Sequence, residues 1–114
     1  MPMYIDVKRD LSLYNRFYEA VKILATETGS LNDRLFKAYW SFLFAISSSN
    51  FKEKELQEKL KYVENIFHNE HKCIYYKYFE GGKLHCHWKE SVHMAENIFQ
   101  IYDYIIESRC ENDR

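Results

Sequence analysis

The segment from Arg34 to Ile46, with the sequence RLFKAYWSFLFAI, carries apolar side chains on two opposite sides of one predicted helix. At about 100° per residue, one side collects the stripe Leu31, Leu35, Ala38, Tyr39, Phe42 and Ile46, and the other side collects Phe36, Trp40 and Phe44. A helix at the surface of a domain needs only one apolar face. The segment therefore predicts either a central helix that is covered on both sides or a helix that presents three large aromatic side chains to a partner.

The chain as a whole has few residues that interrupt helices. Its 114 residues include 3 Gly and 1 Pro, whereas 10 Tyr, 8 Phe and 2 Trp supply large side chains for a core. A chain of this length buries roughly two-thirds of the surface that its unfolded form exposes. We therefore predict a single, mainly α-helical domain over residues 1–114, a compact bundle of about four helices.

Cap residues, breakers and apolar spacing divide the chain into four predicted helices. They run from about Asp10 to the stop at Gly29, from the cap at Ser30 to the polar run at Ser47, from Phe51 to Phe67, and from Ser91 to Ser108. Asp33 lies three residues after Ser30, the spacing of a capping box. We expect the first ten residues to be an extended lead-in and the residues after the last helix to be a frayed tail.

Residues 68–88 are ambiguous between strand and helix. Gly81 and Gly82 predict a two-residue hairpin turn between CIYYKYF and KLHCHW, which are rich in aromatic and β-branched residues. That turn sets a register in which Tyr78 faces His85 and Tyr76 faces His87. The alternative is a short helix from Cys73 to Phe79 that the glycines end. We favour a short hairpin over residues 73–88, before the last helix.

The charge is nearly balanced overall but acidic at the C-terminal end. The net charge of −1 provides no general attraction for nucleic acid or for an anionic membrane, and no segment approaches the length of a membrane span. The segment from Glu90 to Arg114 contains six acidic and two basic residues, a net charge of −4. The core stripe of the last helix is predicted to be Met94, Ile98, Ile101, Tyr102 and Ile105, flanked by Ala95 and Phe99. Opposite it lies a polar stripe, Glu96, Gln100, Asp103 and Glu107. A basic partner suits this stripe, and a phosphate backbone does not.

Histidine and cysteine are concentrated between residues 68 and 93. The group consists of His68, His71, Cys73, His85, Cys86, His87 and His93. Such residues can hold zinc, but their spacing is irregular and includes neither C-x-x-C nor H-E-x-x-H. Metal binding by this segment is therefore the alternative interpretation of the chain.

The sequence contains no recognised catalytic motif. It has no G-x-S-x-G, no glycine-rich phosphate loop and no Arg followed at helical spacing by His. An odd number of cysteines and the absence of a signal peptide indicate a reducing, cytoplasmic setting. We therefore expect a non-enzymatic protein that needs no cofactor.

The pairing of RLFKAYWSFLFAI with HMAENIFQIYDYIIE near the C-terminus resembles small all-helical bacterial proteins. The size and the lysine- and tyrosine-rich composition are similar to those of immunity proteins of contact-dependent growth inhibition systems. The resemblance implies a cytoplasmic bacterial protein that neutralises a toxin by direct contact, for example a basic nuclease toxin. It transfers no residue role by position.

We predict three groups of partner-contacting residues. They are the stripe Glu96, Gln100, Asp103 and Glu107, the hairpin region's Tyr76, Tyr78 and Trp88, and the aromatic set Phe36, Trp40 and Phe44. The aromatic set has two alternatives: another helix covers it, or a homodimer closes through it.

Overall fold

Four α-helices and one β-hairpin make up the described part of the molecule. A computed structural model describes the backbone of residues 2–76 and 81–112 and the side chains of residues 13–74 and 82–108. The helices are α1 (Pro2–Thr26), α2 (Leu31–Ala38), α3 (Lys54–Phe67) and α4 (Trp88–Asn112), and the strands are β1 (Cys73–Tyr76) and β2 (Gly81–Leu84). The predicted helical bundle with a hairpin before its last helix is confirmed.

The turn between α1 and α2 follows directly from three local residues. Gly29 has φ +104°, a left-handed conformation that favours glycine, and it turns the chain between the end of α1 at Thr26 and the start of α2. The Ser30 hydroxyl accepts a hydrogen bond from the Asp33 backbone N–H at 3.1 Å, and the Asp33 carboxylate accepts one from the Ser30 N–H at 3.3 Å. The predicted capping box is therefore confirmed, and it starts α2.

The segment with two apolar sides does not form one regular helix. After Ala38 the chain continues as a π-helical turn, Tyr39–Leu43, in which the Phe44 N–H donates to the Tyr39 carbonyl at 2.9 Å. The expectation of an unbroken α-helix to Ile46 is therefore wrong after Ala38. The wider π-helical turn changes the directions in which the following side chains point around the helix axis. The predicted stop is confirmed: Ser47 caps a short 3₁₀ turn, Ser48–Asn50.

The core lies where the inner faces of α1, α3 and α4 meet the α2 segment. Residues on the inner faces of these three helices are buried, as are several residues of the segment from Leu35 to Ile46. The buried apolar residues include Phe17, Ala20 and Leu24 of α1, Leu35, Ala38, Tyr39, Leu43 and Ile46, Leu56, Leu60, Val63 and Phe67 of α3, and Met94, Ile98, Ile101 and Ile105 of α4.

The hairpin exists, but its predicted turn and register are wrong. Gly81 and Gly82 lie within β2, where they pair with Tyr76 and Tyr75, so Tyr76 does not face His87. His85 lies beside Lys72, whose carbonyl accepts its N–H, and Tyr78 lies outside the described residues. The observed register pairs Cys73 with Leu84, and both side chains are buried. Burial of this pair, rather than the two glycines, decides the register.

Several helix ends also differ from the prediction, and α4 begins at Trp88, which was predicted to end the hairpin. The expected extended lead-in is helical from Pro2, because proline suits the first position of a helix and no breaker follows it. The expected frayed tail is helical to Asn112. The third helix starts at Lys54, because Phe51 is extended and buried in the core. In the described ranges, no helix combines the length and the apolar character that crossing a bilayer requires.

Candidate functional site

The outer face of α4 carries exposed apolar side chains in one line. Trp88, Val92 and Phe99 are 65%, 36% and 43% exposed, and we call these three residues the apolar ridge. Their spacing of four and seven residues places them within about 40° of one another around the helix. Half-buried Ala95 and Ile106 continue the same line. The ridge is therefore a continuous strip along the helix rather than scattered surface residues.

A row of acidic and amide side chains begins beside the C-terminal end of the ridge and continues along α4. It consists of the predicted residues Glu96, Gln100, Asp103 and Glu107, all exposed, and we call it the acidic row. Its centre lies about 70° around α4 from the ridge. Among the side chains that the structure describes, none forms an ion pair with its three carboxylates. The row therefore keeps its negative charge available to a partner.

The neighbouring helices leave this face of α4 uncovered within the described residues. On one flank, α1 packs against α4, with the Tyr14 and Tyr102 ring centres 5.9 Å apart. On the other flank, the Asn97 amide donates to the Lys59 carbonyl of α3 at 3.3 Å. The ridge and the row occupy the arc between these two contacts.

A polar network holds the first turn of α4 against α2 and the hairpin. The Asn32 amide donates to the Cys86 carbonyl at 3.1 Å, and its carbonyl oxygen accepts from the buried Ser91 hydroxyl. Lys72, just before β1, forms an ion pair with Glu90. This pair lowers the pKa of the Glu90 carboxyl and raises that of the Lys72 ammonium. The network fixes the helix that carries Trp88.

One basic residue belongs to the same face. The Lys89 ammonium lies 5.8 Å from the centre of the Trp88 ring, within the range of a cation–π contact. Lys89 therefore covers one end of the ridge, and Val92 and Phe99 extend away from it.

The aromatic set predicted from the central segment is divided by the fold. Phe36 and Trp40 are half-buried and pack against the core, whereas Phe44 is 53% exposed. The Trp40 ring meets Phe67 and His68 edge-on at 6.3 and 6.0 Å. Trp40 therefore packs on the C-terminal end of α3, and Phe44 lies beside it with ring centres 6.2 Å apart.

Tyr39 and His68 form a hydrogen-bonded pair beneath Trp40. The Tyr39 hydroxyl lies 3.1 Å from His68 Nε2, and the Tyr39 ring stacks on Phe67 at 4.1 Å. Burial raises the pKa of Tyr39 well above its usual value, so this phenol stays protonated. This hydrogen bond gives the buried Tyr39 hydroxyl a partner, so the role of the pair is structural.

The histidines and cysteines of the second half are dispersed. Cys73 is buried, His93 stands edge-on to Tyr62 at 4.6 Å, and His68 bonds to Tyr39. Burial raises the pKa of the half-buried Cys86 thiol to about 11. Within the part of the chain that the structure describes, no three His, Cys, Asp or Glu residues are placed to hold a metal ion.

The structure gathers some of the predicted contact residues and separates others. The acidic row and Trp88 share one face of α4. Tyr76 lies in β1 with its side chain outside the described part, and Tyr78 is outside it entirely. Sequence analysis overlooked Val92 and assigned Phe99 to the flank of the core. Their helical spacing from Trp88 is the signal that could have identified both.

Comparison with family models, with curated proteins and with solved structures finds no match. We therefore infer function from the surface of the molecule alone.

Proposed function

We propose that this chain is a non-enzymatic, protein-binding inhibitor of the immunity or antitoxin type. It acts in the bacterial cytoplasm and neutralises a basic toxin, such as a nuclease, by direct contact through the outer face of α4. The observation that carries the proposal is the apolar ridge lying beside the acidic row on one exposed helix face.

The ridge supplies the contact area that binding requires. Aromatic side chains, Trp above all, are enriched among the residues that dominate binding energy, because they bury a large area with few rotatable bonds. A Trp that is 65% exposed at a position fixed by the Asn32 network is available for such a contact. Its burial in a partner removes apolar surface from water, which favours association.

The row supplies selectivity by charge. Glu96, Asp103 and Glu107 repel nucleic acid and attract a cationic surface. The active-site cleft of a nuclease is positively charged, because it must hold a polyanion. A protein with an acidic face can therefore occupy that cleft and exclude the substrate.

The test begins with three forms of the protein: wild type, a row variant and a charge-matched control. The row variant carries Glu96→Lys, Asp103→Lys and Glu107→Lys. The control reverses Glu55, Glu58 and Glu70, which are exposed on α3 and the turn after it, so both variants gain the same charge. Each form is used to capture binding proteins from the cells that produce the chain.

The captured protein is then expressed with and without each form. We expect it to be toxic alone and harmless with the wild type or the control, but to remain toxic with the row variant. We also expect the affinity of the wild type to fall as salt rises, because the acidic row is exposed. A captured protein that the wild type leaves fully active, or that the row variant still neutralises, contradicts the proposal.

A further inference from the structure

We infer that the partner docks an amphipathic α-helix along α4, with an apolar stripe on the ridge and Lys or Arg side chains against the acidic row. This inference rests on the proposed function and names the structural element that the outer face of α4 accepts.

The shape of the surface favours a helix over a loop or an extended peptide. The ridge spans Trp88–Phe99, twelve residues and about 16 Å of α4, and the acidic row spans Glu96–Glu107. Both strips follow the helix axis, overlap over one helical turn and together cover about 28 Å. A second helix presents its own residues at i, i+4, i+7 and i+11 as a parallel strip, and packing at about 20° keeps two such strips in contact over this length.

The opposite border of the ridge is lined by tyrosines. On the α1 side, Tyr14 stacks with Tyr18 at 6.2 Å and lies 5.9 Å from Tyr102 of α4. Tyr18 is 42% exposed. A docked helix therefore has apolar contact along the ridge and aromatic contact on one flank, and it meets carboxylates on the other flank toward the C-terminal half of α4. This asymmetry fixes the side on which its basic residues must lie.

Charge favours a basic partner over a second copy of this chain. In an antiparallel two-fold pairing through the ridge, the two acidic rows extend beyond opposite ends of the shared ridge, so most of their carboxylates gain no partner from the second copy. A helix with Lys or Arg on the matching flank pairs with each carboxylate of Glu96, Asp103 and Glu107. Helix-in-groove recognition by apolar anchors at this spacing is a common mode of peptide binding.

The probe that tests this inference is a synthetic helical peptide of leucine, lysine and alanine. It has leucines at i, i+4, i+7 and i+11, and its lysines lie on one flank and continue for about two turns past one end of the leucines, where the acidic row extends beyond the ridge. A control peptide has the same composition in scrambled order. Binding to the full chain is measured by calorimetry. The tryptophan emission reports contact at Trp88, the more exposed of the two tryptophans.

We expect the ordered peptide to bind at least about ten-fold more tightly than the scrambled one and to shift the emission to shorter wavelength. Trp88→Ala and Phe99→Ala should each weaken binding by about ten-fold, and Trp88→Phe should abolish the emission shift. Phe44→Ala is the matched control, because the 53% exposure of Phe44 lies between those of Trp88 and Phe99 and Phe44 lies outside α4, and it should change affinity less than two-fold. All these side chains are exposed, and unfolding curves verify that the variants fold.

Equal binding of the two peptides, or no binding of the ordered one, overturns the inference. The inference is also overturned if the ridge variants bind the peptide as the wild type does and the row variant does not bind it. In that case the proposed function still stands on the toxicity assay. A dimer detected by sedimentation that Phe99→Ala dissociates identifies a second copy as the occupant, which also overturns the inference. If only the toxicity assay fails, the proposed function is lost while helix docking is retained.

Discussion

Replacement of Asn32 by Ala tests the network that fixes α4 in place. Asn32 is the second residue of α2. Its side chain donates a hydrogen bond to the Cys86 carbonyl at 3.1 Å and accepts one from the Ser91 hydroxyl. One side chain therefore joins α2, the segment after β2 and the first turn of α4. Alanine removes both hydrogen bonds and leaves the backbone of α2 unchanged.

The expected loss can be worked out from these contacts. A neutral hydrogen bond contributes about 1 kcal/mol net to stability, so two give about 2 kcal/mol. A larger loss is not expected, because the Ser91 hydroxyl retains the His87 carbonyl at 3.3 Å as an acceptor. With an unfolding entropy of about 2.1 cal/mol/K per residue, a chain of 114 residues loses about 8 °C in Tm for this change.

Thermal unfolding followed by circular dichroism measures the shift, and Ser91→Ala completes a double-mutant cycle. The two substitutions should be non-additive by about 1 kcal/mol, since each removes the same Asn32–Ser91 bond. Thr26, which also bonds through its side chain but only to its own helix, provides the control substitution Thr26→Ala. A fall in Tm below about 2 °C for Asn32→Ala, or full additivity with Ser91→Ala, would refute the reasoning.

Two further predictions concern titrating groups. Because Lys72 lowers the pKa of Glu90, their ion pair should stabilise the fold above the unfolded-state value of about 4.3, and this stabilisation should be lost as pH falls below it. Glu90→Gln should therefore flatten the decline of Tm between about pH 5 and pH 3, and Glu58→Gln should not; equal slopes for all three proteins would exclude a role for the pair. A pKa of about 11 should leave Cys86 with little thiolate at pH 8. A thiolate of higher pKa is a better nucleophile, which offsets part of this effect, so we expect Cys86 to react with Ellman's reagent about twenty-fold more slowly than glutathione. Mass spectrometry of the labelled cysteine decides this, and a rate equal to that of glutathione would contradict it.

Local signals predicted the parts of the fold that few residues control. The capping box needs only Ser30 and Asp33, and the turn before it needs only Gly29, so both could be recognised without tertiary information. The hairpin register could not be predicted in this way, because it depends on which strand residues the rest of the molecule buries. Cys73 and Leu84 are the buried pair, and neither is marked by the local sequence.

The candidate site could be predicted only in part, because residue spacing along one helix does not show which residues its neighbours cover. The acidic row was identified from its spacing, because four polar residues on one side of an amphipathic helix must lie away from the core. Phe99 was assigned to the edge of the core, because periodicity gives the angle of a residue around a helix but not the extent of the neighbouring helices. Phe36 and Trp40 were predicted as contact residues, yet core packing leaves them half-buried.

The amino-acid pattern by itself determined that the chain forms helices, where their buried stripes lie and which side of the last helix is acidic, because these depend on residue spacing along one element. Tertiary structure alone decided the π-helical turn after Ala38, the pairing of Cys73 with Leu84 and the exposure of Trp88, Val92 and Phe99. The physical reason is that burial depends on every element that reaches a residue. A helix of fixed pattern exposes or covers a residue at the edge of its apolar face according to where its neighbours end.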